Sequence, residues 1–176
     1  MAQDTTKIVV GRALVYISDY VTAGGAGTFV EVGHTNAPST LTAAFDNFDV
    51  ETEQALGIVK TVPIRSNFSL RVPMLEVTVS RIGKALRQPV ANVTGTTPNF
   101  SLAVGDAVEI YHQLKLESYG HGTTAVRTVT LWKCQAATIA DVPFAKAGTQ
   151  LLDVTFRVIK DDSVATLDKY FKIVDT

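Results

Sequence analysis

The groups in this chain that could do chemistry are three histidines, one cysteine and two sets of carboxylates. Asp106, Glu109 and Glu117 are spread along one segment, whereas Asp46, Asp49, Glu51 and Glu53 are crowded into another. His34, His112 and His121 lack metal-ligand spacing, and Cys134 is alone, so the Cys–His clustering that zinc requires is missing. Cys134 also cannot close an internal disulfide. It follows Trp132 and Lys133 in an apolar run, where a lysine can lower a thiol pKa but burial makes it inert. Asp106, Glu109 and Glu117 could supply a general acid and base, yet charges on the wet face of a strand need no catalytic explanation. Gly83-Lys84 has no following Ser or Thr and no glycine five residues before it, so it is not a phosphate loop. No HExxH and no nucleophile elbow occurs. Asn67-Phe68-Ser69, Asn92-Val93-Thr94 and Asn99-Phe100-Ser101 spell the glycosylation sequon, but MAQDTTKIVV has no signal-peptide apolar core. The expectation is a chain without enzymatic activity, metal or cofactor.

The elements that hold these residues are mostly strands. At 176 residues, with 46% hydrophobic and 19% charged residues, the chain suits one domain able to bury a core. A net charge of −1 gives no overall pull towards nucleic acid or anionic lipid. The longest apolar run, Ala13 to Ile17, is far too short to span a bilayer. Residues 41–72 dominate. Phe48, Val50 and Thr52 alternate with Asp49, Glu51 and Glu53, and a turn at Gln54–Gly57 follows. On the return leg Val62, Ile64, Phe68, Leu70 and Val72 are expected on one face, and Thr61, Arg65, Asn67, Ser69 and Arg71 on the other. Period-two alternation marks strands with one dry and one wet face. Such a hairpin spans roughly 40 Å at about 3.3 Å per residue, longer than a small domain needs for its own core.

Further strands are expected at 7–17, 28–32, 107–119, 125–137, 150–160 and in the closing YFKIV. Leu75, Val79, Ile82 and Leu86 follow helical spacing, which predicts one helix over about 75–87, stopped by Pro89. Residues 88–106 read as a long polar connection. About eight strands and one helix give a mainly β fold: an antiparallel β-sandwich or barrel, with the helix covering one opening.

The charges are segregated. After the acids at 46–53, the stretch to residue 87 carries Lys60, Arg65, Arg71, Arg81, Lys84 and Arg87 against one acid, Glu76. Two readings fit. One is a solvated hairpin beside a solvated helix. The other is head-to-tail association, in which an acidic projection meets a basic surface on the next copy; complementary patches steer and register such contacts.

The order of features resembles a known family. GRALVYISDYVTAGGAGTFVEVG (11–33), the long acidic hairpin with a glycine near its tip, Leu75-Glu76 opening the lone helix, and FAKAG…LLDVTFRVIKDDS…YFKIVDT together resemble the major tail tube proteins of tailed bacteriophages. The likeness covers most of the chain; residues 88–106 fall outside it.

That resemblance implies a β-sandwich or barrel flanked by a helix, six copies per ring, and stacked rings enclosing a channel that double-stranded DNA crosses without specific binding. It implies that 41–72 lines the lumen and reaches the next ring. Asp46, Asp49, Glu51 and Glu53 would then face the channel or a neighbour, with 1–7 and 161–176 as inter-ring arms. Implied partners are the chain itself and the tape measure, tail terminator and distal tail proteins, in a virion tail built in the bacterial host cytoplasm. A carboxylate wall would repel phosphate, and positive contacts would add binding by counterion release. Two other readings remain open: the tube protein of a contractile secretion or bacteriocin apparatus, and a monomeric β-sandwich binding module using 88–106 as its ligand loop.

Overall fold

Alternating apolar residues, rich in valine, isoleucine and leucine, organise most of the described residues into antiparallel strands. The computed structural model describes residues 13–25, 27–51, 57–96, 99–119, 125–139, 150–165 and 168–175. In chain order they form β1 (Ala13–Asp19), β2 (Val30–Glu31), β3 (Thr40–Glu51), β4 (Ile58–Met74), α1 (Val79–Ala85), β5 (Val93–Thr96), β6 (Asn99–Leu102), β7 (His112–Tyr119), β8 (Ala125–Ile139), β9 (Leu152–Val158) and β10 (Phe171–Asp175). The main sheet has the order β2-β1-β7-β8-β9-β4-β3, and β10 also pairs with β8. All of its pairings are antiparallel.

The sheet closes on itself. The segment after β2 donates from Val32 N–H to the Val15 carbonyl, 2.8 Å, then turns to β4. There Leu75 N–H donates to the His34 carbonyl at 2.8 Å, Asn36 N–H donates to the Pro73 carbonyl at 3.1 Å, and Thr35 bridges Met74. The result is a barrel, and closure leaves fewer open strand edges. Its interior is the core. Val15, Val32, Leu70, Leu114, Leu131 and Phe156 are fully buried there.

The mainly β antiparallel barrel with one helix is the fold the sequence predicts, with differences at several boundaries. The helix is Val79–Ala85 rather than 75–87. Thr78 is its cap, accepting the Arg81 N–H on its hydroxyl at 3.3 Å, while the Leu75 N–H is already given to His34. Arg87, at φ 54, ends it in the left-handed region. The helix lies across the barrel end formed by Asp19, His112 and the second half of β8, through Lys84, Arg87 and Ile82.

Residues 88–106 are not a featureless connection. They contain the β5–β6 hairpin, held to α1 because a side chain at Gly83 would crowd Leu102 and Val93 at 3.3 Å. Buried Gln88 ties the base of this excursion: its amide donates to the carbonyls of Leu86 and Gly105, and its oxygen accepts from Asn92 and the Gly105 N–H. The expected strand 107–119 starts only at His112, and 28–32 contributes only Val30–Glu31. Residues 1–12, including the expected arm 1–7 and most of the 7–17 strand, lie outside the described residues, as does the turn between β7 and β8.

The hairpin differs most informatively. Cross-strand partners run from Thr40↔Arg71 to Asp46↔Arg65, then shift to Asn47↔Pro63, and shift again between Val50↔Lys60 and Glu51↔Ile58. Ile64 is therefore an extra residue in β4. Pro63 has no N–H to offer the ladder, which is why a bulge sits beside it. Val62 thus does not share a face with Phe68, Leu70 and Val72, as strict alternation across β4 requires. At the base, Leu41, Phe45, Phe68 and Leu70 share the core side. Beyond the bulge that same side of β3 carries Asn47 and Asp49, opposite Pro63 and Thr61, while Phe48, Val50 and Val62 take the outer side. The ribbon swaps its dry and wet faces halfway along.

Candidate assembly interface

The distal hairpin is where the chain leaves its own barrel. β9 covers β4 only from Phe68 to Met74, so residues 58–67 run on with no described strand on that side. β3 is the terminal strand of the sheet, and its outer edge is unpaired among the described residues. Phe45, Phe48, Val62 and Ile64 are 59%, 57%, 37% and 67% exposed, and Ile58 and Val59 are exposed as well. Scattered exposed apolar residues are ordinary on a surface, but a ribbon of them along an open edge is a pairing surface.

The four predicted acids do not form one row. Asp46 accepts from Asn67 Nδ2 at 3.3 Å on one side of the ribbon. Asp49 accepts from the Thr61 hydroxyl at 2.7 Å on the other side, which Glu51 shares by alternation. Glu53 and most of the expected turn lie outside the described residues. Gly57, at φ +128, adopts a backbone conformation that side chains resist.

Four of the six predicted cations have partners within the chain. Arg71 grips buried Asp153, its Nε donating to both carboxylate oxygens at 2.9 and 3.0 Å, which raises its own pKa. Arg81 donates to the Glu31 carbonyl at 3.2 Å and to the Glu76 carboxylate at 3.3 Å. Lys84 donates to Asp19 at 2.5 Å and Arg87 to the Ala136 carbonyl at 2.6 Å. These residues fasten α1 and β9 to the barrel. Lys60 and Arg65 make no ion pair among the described residues and are exposed.

Two cations unmarked by the sequence reading join Arg65. β9 occupies the edge of β8 opposite β7 along Cys134–Ile139, and β10 occupies that same edge along Arg127–Leu131. β10 therefore continues the line of β9, while β4 peels away from it. Between β4 and the end of β9, beside Tyr170, lies a groove of about 610 Å³, lined by Ile64, Arg65, Asn67, Arg157 and Lys160 among others, with no carboxylate among its described lining residues. Tyr170 in its wall is held edge-on by Phe68 at 5.0 Å, which also meets Phe171 at 5.1 Å. Arg157 points outward because β9 alternates, with Val154, Phe156 and Val158 buried. That alternation was legible, but its position beside Arg65 depends on long-range pairing. Residues 161–165 and 168–175, within the expected C-terminal arm, lie along the barrel, with Asp161 N–H donating to the Lys169 carbonyl and Trp132 Nε1 donating to that of Asp168.

His34, Glu117 and Cys134, among the groups considered for chemistry, are engaged elsewhere. His34 lies 2.8 Å from Glu76, and this contact, ahead of Arg81, holds that carboxyl well below its usual range. Glu117 is bound by Lys115 at 2.7 Å and the Tyr119 hydroxyl at 2.5 Å. His121 lies outside the described residues. Among the described residues no group of three or more His, Cys, Asp or Glu side chains is placed to hold a metal ion, and no helix is long and apolar enough to cross a membrane. Cys134 is buried in the core, and desolvation pushes its thiol pKa up. A thiol reagent should therefore leave it unmodified in the native protein and label it fully in denaturant; prompt native labelling would contradict this placement.

No family model matches this sequence, and no curated protein matches it. Among solved structures, the chain superposes over 99% of its length on 98% of a chain in "Cryo-EM structure of the anti-feeding prophage (AFP) baseplate, 6-fold symmetrised", with a TM-score of 0.55 and 10% identity. A second match, "Crystal structure of Hcp protein", covers 93% of this chain and 98% of that one at 12% identity, with a TM-score of 0.34. The first shows a shared fold over the full chain. The second superposes too loosely to carry an argument.

Proposed function

We infer that this chain is a structural subunit of a phage-tail-type tube or baseplate, working by self-association into symmetric rings rather than by catalysis. The observation that carries the reading is the distal hairpin: an open-edged ribbon with an acidic face and an apolar face, both left bare by its own barrel. Leaving that apolar ribbon in water is unfavourable by about 25 cal/mol per Å² of surface a partner could cover, so association is the natural outcome. A heterologous contact between ribbon and barrel repeats from copy to copy and closes into a ring or grows into a tube. The shared fold with a chain of a six-fold symmetrised baseplate supports this class of assembly.

Within the class, we favour a tail tube of stacked hexameric rings whose channel passes DNA, on the resemblance in the sequence. The acids on one hairpin face suit a wall that repels phosphate. The shared fold equally supports the runner-up, a tube or baseplate component of a contractile apparatus that carries no genome. Sedimentation velocity of the purified protein across a concentration series, with negative-stain imaging, tests the shared claim. Rings or rods growing with concentration are expected. A single monomeric species at every concentration would end it.

A further inference from the structure

The groove between β4 and the end of β9 has no described strand to fill it, and the charged residues among its described lining are all cations. Arg65 and Arg157 make no ion pair among the described residues, and Lys160 shares Asp162 with Lys169 at 2.7 and 3.2 Å. The nearest acid on β3, Asp46, stands opposite Arg65 in register but is held by Asn67. In a chain of net charge −1, Arg65 and Arg157 beside Lys160, in a cleft with no carboxylate among its described lining residues, make a local anion receptor. The apolar surface of Ile64 and Tyr170 offers it contact area as well.

The chain also carries the complementary piece. Beyond the bulge, Asn47, Asp49 and Glu51 present a polar, acidic face on an extended ribbon. It cannot enter its own groove, because β3 pairs with one edge of β4 and the groove opens at the other. We propose that this groove is the receptor for the acidic face of the distal hairpin of a second copy, with Arg65 and Arg157 receiving Asp49 and Glu51. This rests on the self-association reading and names the surfaces that meet. It moves the basic half of the contact away from Arg71, Arg81, Lys84 and Arg87, which are spent inside the chain. Opposite charges set apart in this way fix the register of a heterologous contact and speed encounter.

A charge-reversal exchange tests it. Asp49→Lys with Glu51→Lys makes one protein, and Arg65→Glu with Arg157→Glu makes another. Every site is exposed, so circular dichroism and thermal melting should match wild type for both. Each protein alone should need a concentration on the order of tenfold higher, or more, to assemble. Mixed in equal amounts they should assemble near the wild-type midpoint, because each copy then meets a neighbour of opposite charge. The milder pair Arg65→Gln with Arg157→Gln should fall between and should flatten the salt dependence of assembly.

If wild type assembles and the variants do so at its midpoint, or if mixing restores nothing, the docking is overturned while the structural reading stands. If the groove variant assembles normally but loses binding to polyphosphate or a DNA fragment, the groove serves another polyanion and the docking is again overturned. A wild-type protein that never associates removes both readings.

Discussion

Phe48→Asp should abolish assembly while leaving the melting temperature of the isolated subunit within a degree or two of wild type. Phe48 is 57% exposed on the outer face of the distal hairpin and lies opposite Val62, beyond the last residue of β4 that β9 covers. Its loss costs the barrel almost nothing, since surface substitutions of this kind usually change stability by no more than about 0.5 kcal/mol. In an assembly the same side chain would be a buried aromatic anchor, where truncation commonly costs 2 kcal/mol or more, roughly thirtyfold in affinity. A buried carboxylate adds its own desolvation penalty. The contrast is Phe156, fully buried inside the barrel: Phe156→Ala should cost about 3–5 kcal/mol of folding stability before assembly is reached. Sedimentation and thermal melting of the two variants separate the roles. Equal effects on melting would mean that the ribbon belongs to the core after all.

The second large effect is on acid stability and comes from His112. The side chain is 2% exposed at the barrel end under α1, 3.7 Å from Asp19, and its Nδ1 has no hydrogen-bond partner among the described residues. Burial, reinforced by the nearby Lys84 charge and opposed by Asp19, lowers its pKa to about 4. In the unfolded chain it titrates near 6.5. Between these values the unfolded state takes a proton that the folded state refuses, so stability is complete above about pH 6.5 and falls as pH drops towards 4. The expected loss is about 3 kcal/mol. Asp19, held below its usual range by Lys84, loses its contribution only at still lower pH, so the two windows separate. Denaturant melts of wild type and His112→Asn between pH 7 and 4 check this: the variant should be nearly flat where wild type slopes. Parallel profiles would show that the imidazole is hydrated or paired in the native state.

How much of this was readable beforehand depends on the range of the interaction concerned. The alternation in QLLDVTFRVIK and in NFSLRV prescribed strands and their inward residues, and both faces of β9 follow it. Helical spacing found α1 but extended it by a turn at its start, because Leu75 fits the apolar pattern while its amide is engaged by His34 of the segment that closes the barrel. Pro63 was a local warning of the bulge at Ile64. Read as such, it would have placed Val62 with Phe48 on the side away from Phe68, while plain alternation along β3 already separates Asp46 from Asp49 and Glu51.

Other features had no local mark. The closure of the barrel through residues 32–36, the capture of Arg71 by Asp153 and the meeting of Arg65 with Arg157 each join residues far apart in sequence. Charge counting saw a basic stretch from Lys60 to Arg87, but could not tell cations that fasten α1 and β9 from cations left facing solvent. Residues 88–106 were misread because the β5–β6 hairpin is too short for its periodicity to show. Its contact with Gly83 explains why a helix with few residues to spare contains a glycine.

The most direct measurement is a cryo-EM reconstruction of the particles formed by the wild-type protein at high concentration. The account predicts a ring or tube in which residues 45–64 of each copy lie against another copy, with Phe48 and Val62 out of solvent and Asp49 and Glu51 beside Arg65 and Arg157 of a neighbour. Copies that meet elsewhere and leave that ribbon in water would contradict it, as would a preparation that yields only single barrels.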